Sequence, residues 1–461
     1  MFFTQFNVGK RKLAWDMLCY DITHAKRKQH SIFLITEPYL LKSGRCPKLP
    51  PGYLSYGEKF SRGIIVAHRS LNLWFSPEFS GPDITTVKLI SDSQSWYICS
   101  LYCDILKEVI HPTLDKLVNS LDVTGDAVII GCDTNCHTPM IGSKNSNPRG
   151  LIFEEYVLSN NLCIHNIGNK PTFVRKGCET VIDATLSKNL KCDIVNWRVI
   201  DEFKFSDHLP IEFTLHVFRE KEKNVLDFNK CNFEKFRENL PKKKEFVNFW
   251  SISAIEKEAE FIEKSILTAI NKSCPVKRPT IYKSRWWSEE LNCKKFEVKK
   301  LAKKVWLTKA EDDWNNLKSA NKVYSKMIRK TKRQKWQQWC SQVQTPKNMA
   351  WLNKAISRKE NQAISLLRYA DGTFSRSPGD VVDLLLDKHF PDSSKHGDEP
   401  LLEVDDQLAA GKTCYAWEIS SHFITKMKVK ESFMSFGPDK ACGLDGIKAK
   451  FLQNLNDNFI N

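Results

Sequence analysis

In the first 216 residues, side chains that can hold metals or move protons stand repeatedly at the ends of short apolar runs. They are Glu37 after 32–36, Tyr102 after 96–101, Asp133 and Asn135 after 127–131, Asp183 within 181–186, and Asp207 and His208 ahead of 209–215. Active sites of open α/β sheets collect at the carboxyl ends of strands. A single carboxylate at a strand end is usually a turn former, but five such coincidences in one region favour a shared site.

The residue types indicate phosphoester chemistry. Oxygen ligands without a set of thiolates suit a hard cation such as Mg²⁺, which proteins hold through one or two carboxylates plus substrate phosphate. A water that attacks phosphorus must lose a proton, and a histidine beside a carboxylate is a common base. Asp183 and His208 offer those two groups. The competing interpretation of His208 is a hydrogen-bonded histidine at a strand edge with no catalytic role.

These side chains need a sheet to bring them together, and the sequence predicts one. Apolar, β-branched runs predict strands at 31–36, 63–67, 96–101, 127–131, 181–186 and 209–215. Segments with helical spacing lie between them, at 14–28, 106–121 and 149–159. Strands and helices interleaved in this way predict an α/β or α+β domain built around sheets.

Seven short boxes share their order and spacing with a known superfamily. They are Gln5-Phe-Asn7, Thr36-Glu-Pro38, Ser100-Leu-Tyr102, Gly131-Cys-Asp-Thr-Asn-Cys-His137, Lys170-Pro-Thr-Phe173, Ile182-Asp-Ala-Thr-Leu186 and Ser206-Asp-His208. The set resembles the endonuclease/exonuclease/phosphatase superfamily. Within it, the boxes are more similar to the apurinic-endonuclease-like domain that opens the pol protein of non-LTR, LINE-type retrotransposons of the jockey and related clades. The box at 131–137 departs from the commoner Gly-Asp-Phe-Asn form but keeps the Asp-x-Asn spacing.

The resemblance implies a two-sheet α/β sandwich flanked by helices, with a divalent metal at the strand ends. The expected cofactor is Mg²⁺ or Mn²⁺. The residues that match the metal region of the family are Asn7, Glu37 and Asp207. Thr172 and Asn7 match positions near the substrate.

The resemblance also implies the catalytic roles. Tyr102 matches the residue that contacts the phosphate, and Asp133 and Asn135 match those that orient the attacking water and the scissile phosphate. Asp183 and His208 match the carboxylate–histidine pair. Five residues are therefore expected to carry the reaction.

The charge of the chain is unevenly distributed. Its net charge is +16, yet residues 1–216 contain 24 Lys and Arg against 22 Asp and Glu, which leaves 46 against 32 afterwards. Between Lys294 and Lys335 fifteen basic residues face four acids, with tryptophans among them. Such a segment favours contact with nucleic acid through phosphates and stacked bases. A solvated amphipathic helix is the alternative.

The composition predicts three parts. Residues 1–217 form the nuclease-like domain, 218–365 a basic, mostly helical linker, and 366–461 a pre-polymerase segment and the start of a truncated reverse transcriptase domain. The last assignment depends on 437–447, which resembles the entry to a LINE-type polymerase. The box Tyr369-Ala-Asp-Gly372 lacks the second aspartate of a polymerase metal site and is expected to form a turn. We also expect 431–461 to find little apolar partner surface.

Several function classes are excluded at this stage. No run approaches the eighteen apolar residues of a membrane span, and the N-terminus lacks the order of a signal peptide,. The fifteen cysteines are odd in number and irregularly spaced, which indicates reduced thiols rather than a disulfide framework,. We therefore expect no membrane partner and no stable small-molecule cofactor.

Together these observations predict a divalent-metal-dependent DNA endonuclease of a non-LTR retrotransposon. The expected partners are target DNA and the RNA of the parent element, and the expected location is the nucleus after cytoplasmic synthesis. Two alternatives remain open. One is a catalytically inactive nucleic-acid-binding remnant, and the other is a superfamily phosphatase that acts on small phosphoesters.

Overall fold

The computed structural model describes residues 1–24, 30–90, 95–200, 205–216, 226–241, 252–276, 286–357, 364–390, 425–443, 445–456 and 459. They group into two compact units, Met1–Phe218 with Ile281–His389 and Arg219–Thr280 with Phe390–Asn461. Within the described residues, no helix is long and apolar enough to cross a membrane. All fourteen cysteines among them are free thiols.

The strands of the first unit, in chain order, are β1 Phe2–Asn7, β2 Ser31–Thr36, β3 Tyr53–Tyr56, β4 Gly63–His68, β5 Trp74–Phe75, β6 Ile84–Leu89, β7 Trp96–Tyr102, β8 Ala127–Asp133, β9 Cys163–Ile164, β10 Phe173–Arg175, β11 Cys178–Thr180, β12 Asp183–Lys188, β13 Ile194–Val199 and β14 Ile211–Leu215. Its helices are α1 Lys12–His24, α2 Pro112–Thr124, α3 Pro148–Ser159, α6 Glu289–Thr308, α7 Glu311–Ser341, α8 Pro346–Ser357 and α9 Pro378–His389. The second unit contains α4 Phe233–Glu238, α5 Ile252–Ser273, α10 Lys426–Ser435 and α11 Ala449–Leu452.

Two six-stranded sheets form the centre of the first unit. Their strand orders are β13-β14-β1-β2-β4-β3 and β5-β6-β7-β8-β12-β9. One core joins their inner faces, and it contains Phe3, Leu34, Ile98 and Ile129. The alternation of apolar residues along these strands places every second side chain in this core. The predicted two-sheet sandwich flanked by helices is confirmed.

Helices cover both outer faces. On one sheet, α2 and α3 bury Leu117, Leu121 and Phe153 in a second core. The helix predicted from residue 106 begins instead at Pro112, where His111 caps the first turn by accepting from the backbone N–H of Thr113. Proline suits the first helical position because its missing N–H has no partner there. Residues 104–111 are therefore a loop.

The other sheet is covered by α1 together with α6 and α7, which the sequence assigned to a linker. Val298 and Tyr324 lie in one core with Trp15 of α1. The Tyr324 hydroxyl lies 3.7 Å from the Met17 sulfur, and Lys332 Nζ lies 2.7 Å from an Asp16 oxygen. Part of the predicted linker thus packs directly on the first region. The three-part division of the chain stays a prediction.

A short segment beyond α8 also joins the first unit. The backbone N–H of Phe75 in β5 donates to the Ile364 carbonyl at 2.9 Å, and the N–H of Leu366 donates to the Phe75 carbonyl at 3.0 Å. The chain then turns at Tyr369–Gly372, where the Asp371 carboxylate accepts from the N–H and hydroxyl of Thr373. Asp371 is thus used within the turn.

The second unit has its own small core. Phe451 of α11 is fully buried beside Phe236 of α4 and Ile270 of α5. Lys450 donates to the Phe228 carbonyl at 2.7 Å. The expectation that 431–461 has little apolar partner surface is wrong for Phe451, because the helices after residue 232 supply that surface.

Candidate active site

The ends of two parallel strand pairs meet at one edge of the sandwich. In the first sheet, Asn7 of β1 is level with Thr36 of β2, so that Glu37 follows immediately. In the second sheet, Tyr102 of β7 is level with Asp133 of β8. Parallel strands end on the same side, which brings polar residues from distant parts of the sequence to one edge.

A buried glutamine connects the two sheets just below this edge. Gln5 is 3% exposed, and its amide nitrogen donates to the carbonyls of Cys132 and Ala184, each at 3.1 Å. At Gly131 the sheets come so close that an added Cβ would lie 2.6 Å from the Leu34 side chain. The close approach fixes β1 against β8 and therefore holds Asn7 against Asp133.

Asp133, Asp183 and His208 form the centre of the site. Each offers a ligand atom, and these atoms lie within 4.8 Å of one another. His208 Nδ1 lies 2.8 Å from Asp183 Oδ2, and His208 Nε2 lies 3.8 Å from Asp133 Oδ2. All three side chains are buried. A carboxylate on Nδ1 sets the imidazole orientation and leaves Nε2 for chemistry.

Burial and charge shift the proton affinities of this group. Burial raises the pKa of Asp133 to about 7, although His208 acts to lower it. Burial alone would lower the pKa of His208, but Asp183 and Asp133 outweigh it and raise that pKa to about 9. The two shifts have different causes, since exclusion of water disfavours the charged form of Asp133, whereas the neighbouring carboxylates favour the charged form of His208,. Perturbed pairs of this kind are typical of functional sites.

Asn7 and Glu37 add two more oxygen-bearing side chains. The Asn7 amide nitrogen donates to Asp133 Oδ2 at 2.7 Å and to Glu37 Oε2 at 3.4 Å, while its oxygen accepts from the backbone N–H of Gly9. Lys10 Nζ lies 3.2 Å from the Glu37 carboxylate. Glu37 has a φ of +44°, which L-residues rarely adopt,. This arrangement makes Asn7 an orienting residue for both carboxylates.

The donor set fits a hard divalent cation. Two buried carboxylates, those of Asp133 and Asp183, lie beside one histidine, and burial raises the pKa of Asp133 to about 7. Carboxylate oxygens are the ligands that Mg²⁺ prefers. Asp133, Asp183 and His208 are the residues that could hold the ion, and Glu37 is joined to Asp133 through Asn7. The identity of the ion stays a prediction.

Tyr102 is held beside the cluster by a charged network. The Arg62 guanidinium lies 4.7 Å from the centre of the Tyr102 ring. Arg62 also forms ion pairs with Asp83 and Asp104. Burial, followed by Glu37 and Asp133, raises the pKa of Tyr102 to about 12. The phenol therefore stays protonated at neutral pH and can donate a hydrogen bond to a phosphate oxygen.

Asn135 stands two residues beyond the end of β8 in a left-handed conformation, with a φ of +47°. Its side-chain nitrogen donates to the Cys103 carbonyl at 2.9 Å. Its backbone N–H lies 3.4 Å from Asp133 Oδ1. Asparagine tolerates this conformation better than most residues, and the bond to Cys103 ties Asn135 to the segment after β7.

Two predicted residues have other partners in the structure. Thr172 is fully buried, and its hydroxyl accepts from the N–H groups of Ile182 and Asp183, each at 3.1 Å. The Asp207 carboxylate accepts from Arg11 at 2.7 Å. Thr172 therefore fixes the backbone at Asp183 through these two hydrogen bonds. Contact of Thr172 with substrate, and of Asp207 with a metal, stay predictions.

Sequence reasoning assigned no site role to Gln5, Phe173 or Arg62. The ring of Phe173 packs edge-on against His208 at 5.1 Å. Gln5 and Phe173 belong to boxes of the resemblance, so a signal for them existed. No local pattern marks Arg62, because its role depends on Tyr102 and on Asp83, which are distant in sequence.

Solved structures with similar folds cover about half of the chain. The endonuclease domain of TRAS1, a telomere-specific non-LTR retrotransposon, is 23% identical, with 47% of this chain and 99% of that chain covered and a TM-score of 0.40. The apurinic endonuclease LMAP from Leishmania major is 13% identical, with 47% and 88% covered and a TM-score of 0.38. A 3′ phosphatase from Neisseria bound to a DNA hairpin is 15% identical, with 47% and 100% covered and a TM-score of 0.33.

No curated protein matches the chain significantly. The family described as endonuclease-reverse transcriptase matches residues 96–212. That range begins with β7 and ends within β14, so it contains Tyr102, Asp133, Asp183 and His208. Over residues 96–212 this chain is thus a match to the endonuclease-reverse transcriptase family, which confirms the resemblance drawn from its sequence.

Proposed function

We propose that this chain is a divalent-metal-dependent DNA endonuclease of a non-LTR retrotransposon, which hydrolyses one strand of target DNA and leaves a 3′-hydroxyl primer. The observation that carries the proposal is the buried cluster of Asp133, Asp183 and His208 at the strand ends. An isolated structural histidine would not need two carboxylates within 4 Å of its ring nitrogens. The family match over the same residues supports the assignment.

The proposed reaction is an in-line hydrolysis. The oxygen of a water attacks phosphorus, the bond between phosphorus and the 3′-oxygen breaks, and that oxygen leaves and takes up a proton. A bound divalent cation would offset the carboxylate charge that raises the pKa of His208, so that the neutral imidazole can accept the proton of the water at Nε2,. Asp183 holds the Nδ1 proton and stabilises the imidazolium. Asp133 and Asn135 face the water, and Tyr102 donates to the phosphate. A bound divalent cation would neutralise the carboxylates and stabilise charge on the phosphate.

A DNA partner is supported by one face of α7. Six exposed basic residues lie opposite the buried side chains of Leu317 and Tyr324, and we call them the α7 basic stripe: Lys318, Lys322, Lys326, Arg329, Lys330 and Arg333. At 1.5 Å per residue the stripe is about 22 Å long. Phosphates recur about every 3.4 Å along each strand, so the stripe can span several. RNA of the parent element and action in the nucleus are part of the same proposal.

The test is nicking of supercoiled plasmid by the full-length protein, with Mg²⁺ and with excess chelator. We expect conversion to the open circle only with the cation. The nicked product should prime a DNA polymerase directly, because a 3′-hydroxyl needs no trimming. A nick that must first be treated with a phosphatase would contradict the proposed bond cleavage.

The alternatives give different results in the same assay. A phosphatase of the superfamily would release phosphate from inositol or sugar phosphates and leave the plasmid intact. An inactive remnant would bind DNA in Mg²⁺ without nicking it. A mock preparation from cells that do not express the protein is the control for a contaminating nuclease.

A further inference from the structure

The loop between β7 and α2 exposes two adjacent apolar side chains next to the candidate site. Ile105 is 63% exposed and Leu106 is 91% exposed. Single exposed apolar residues are common on protein surfaces. Ile105 and Leu106 differ from this common case, because together they expose one continuous apolar surface at the tip of a loop that begins just after Tyr102.

The loop that carries this tip is firmly held. Arg149 of α3 donates to the carbonyls of Asp104, Ile105 and Lys107, at 3.1, 3.2 and 2.7 Å. The Asp104 carboxylate accepts from the backbone N–H of Leu106 at 3.0 Å. The carbonyls point inward to one guanidinium, so the side chains at the tip point away from the protein.

The base of the loop is part of the site itself. The backbone N–H of Cys103 donates to the Asp133 carbonyl at 2.8 Å, and the Cys103 carbonyl accepts from Asn135. Arg62 joins Asp104 of the loop to the ring of Tyr102. Four residues span at most about 14 Å, so Leu106 lies within about four base steps of a phosphate at Tyr102.

We propose that Ile105 and Leu106 form a wedge that enters duplex DNA beside the scissile phosphate and unstacks a base step. The inference rests on the proposed endonuclease function and names a part of its substrate contact. Proteins that bend DNA insert apolar side chains of this kind between bases. A tip that is already rigid loses little entropy on insertion, and burying Leu106 between bases removes its exposed surface from water.

The wedge is tested with Leu106→Ser in the full-length protein, which should fold normally because the side chain is exposed. The control is Val123→Ser, which removes an 89% exposed apolar side chain at the end of α2, near the start rather than the end of β8. The position of the nick is first mapped on plasmid DNA. The probe is an intact 30-base-pair duplex of the sequence around that position, a length of about three helical turns. 2-Aminopurine replaces, one at a time, the bases that flank the mapped position. For the binding measurement, Leu106→Ser and Val123→Ser are each combined with His208→Ala in a separate protein, so that the DNA is bound without cleavage.

Binding of the His208→Ala protein should raise the fluorescence of one 2-aminopurine by about threefold or more, because that base is unstacked. Binding of the protein with both His208→Ala and Leu106→Ser should leave the fluorescence nearly unchanged. Leu106→Ser should also slow nicking of the paired duplex by about tenfold, and a mismatch at that step should restore it, since unstacking costs least there. Val123→Ser should behave as wild type. If the wild-type protein nicks the duplex, and Leu106→Ser changes neither the fluorescence of the bound DNA nor the nicking rate, the wedge is overturned and the endonuclease function stands. Absence of any nicking would overturn the wedge together with the endonuclease.

Discussion

Removing either member of the His208–Asp183 pair is expected to abolish most nicking. The pair lies 2.8 Å apart and is buried on both sides, so neither partner can be replaced by water. A positioned general base contributes about 10²–10⁴-fold to rate. We therefore expect His208→Ala to slow nicking by about 10³-fold, and Asp183→Asn to fall in the same range because the imidazolium loses its counter-charge.

The double variant is more informative than either single one. Since both changes break one acid–histidine unit, the variant Asp183→Asn with His208→Ala should be no slower than about the worse single variant. Independent effects would multiply to about 10⁶-fold, so the two models differ by about 10³-fold, or about 4 kcal/mol. That difference is far larger than the error of a rate measurement.

The assay is single-turnover nicking of supercoiled plasmid in Mg²⁺, with thermal unfolding and near-ultraviolet circular dichroism to show that each variant is folded. Asp312→Asn is the matched control, because Asp312 is an exposed acid at the start of α7. It should change the rate by less than about twofold. Multiplicative losses in the double variant would refute the pair, and nicking within twofold of wild type in both single variants would refute the site.

Three further outcomes are expected. Replacing the α7 basic stripe by glutamines in the full-length protein should weaken DNA binding and reduce the dependence of log affinity on log salt by about 0.9 for each phosphate that the stripe neutralises; an unchanged slope in a salt titration would assign the stripe to solvated surface. In chelator, the raised pKa of His208, about 9 against 6.5 for the ordinary group, contributes stability that is present below pH 6.5 and lost as the pH rises to about 9, and the raised pKa of Asp133 acts in the same direction,. The rise in melting temperature caused by Mg²⁺ should therefore be larger at pH 8.5 than at pH 6, and scanning fluorimetry that shows no pH dependence would contradict this. Phe451→Ala should destabilise the second unit by about 3–5 kcal/mol, with faster amide exchange across α5, whereas unchanged exchange there would show that the small core carries little stability.

The helical region after residue 286 shows how packing changes the design of such experiments. A protein cut at residue 216 would expose the surface of α1 that covers Val298 and Tyr324. If this truncated protein bound DNA more weakly than the full-length protein, the loss would follow from misfolding as easily as from the absence of the basic residues. Substitutions on the exposed stripe avoid this, because they leave the buried face of α7 unchanged.

Local sequence patterns predicted six of the fourteen described strands, the three helices among the first 216 residues and the residue types at the strand ends. Alternation of apolar residues is a property of neighbouring positions, so β2, β7 and β8 could be predicted within one or two residues of their observed ends,. The start of α2 was predicted too early, since 106–111 fits a helical spacing until the proline at 112 begins the helix. The boxes at 5–7 and 206–208 further indicated the family that residues 96–212 were then found to match.

Only the tertiary structure decided how these groups meet. Asn7 reaches Asp133 across 126 positions of sequence, through the close approach of the two sheets at Gly131. The pKa shifts of Asp133 and His208 arise from exclusion of water and from one another's charge, and neither quantity is encoded by adjacent residues,. The rigid exposure of Leu106 likewise depends on Arg149, which lies on a different helix. Residue type and spacing are local, whereas burial, charge coupling and rigidity are sums over atoms that only folding brings together.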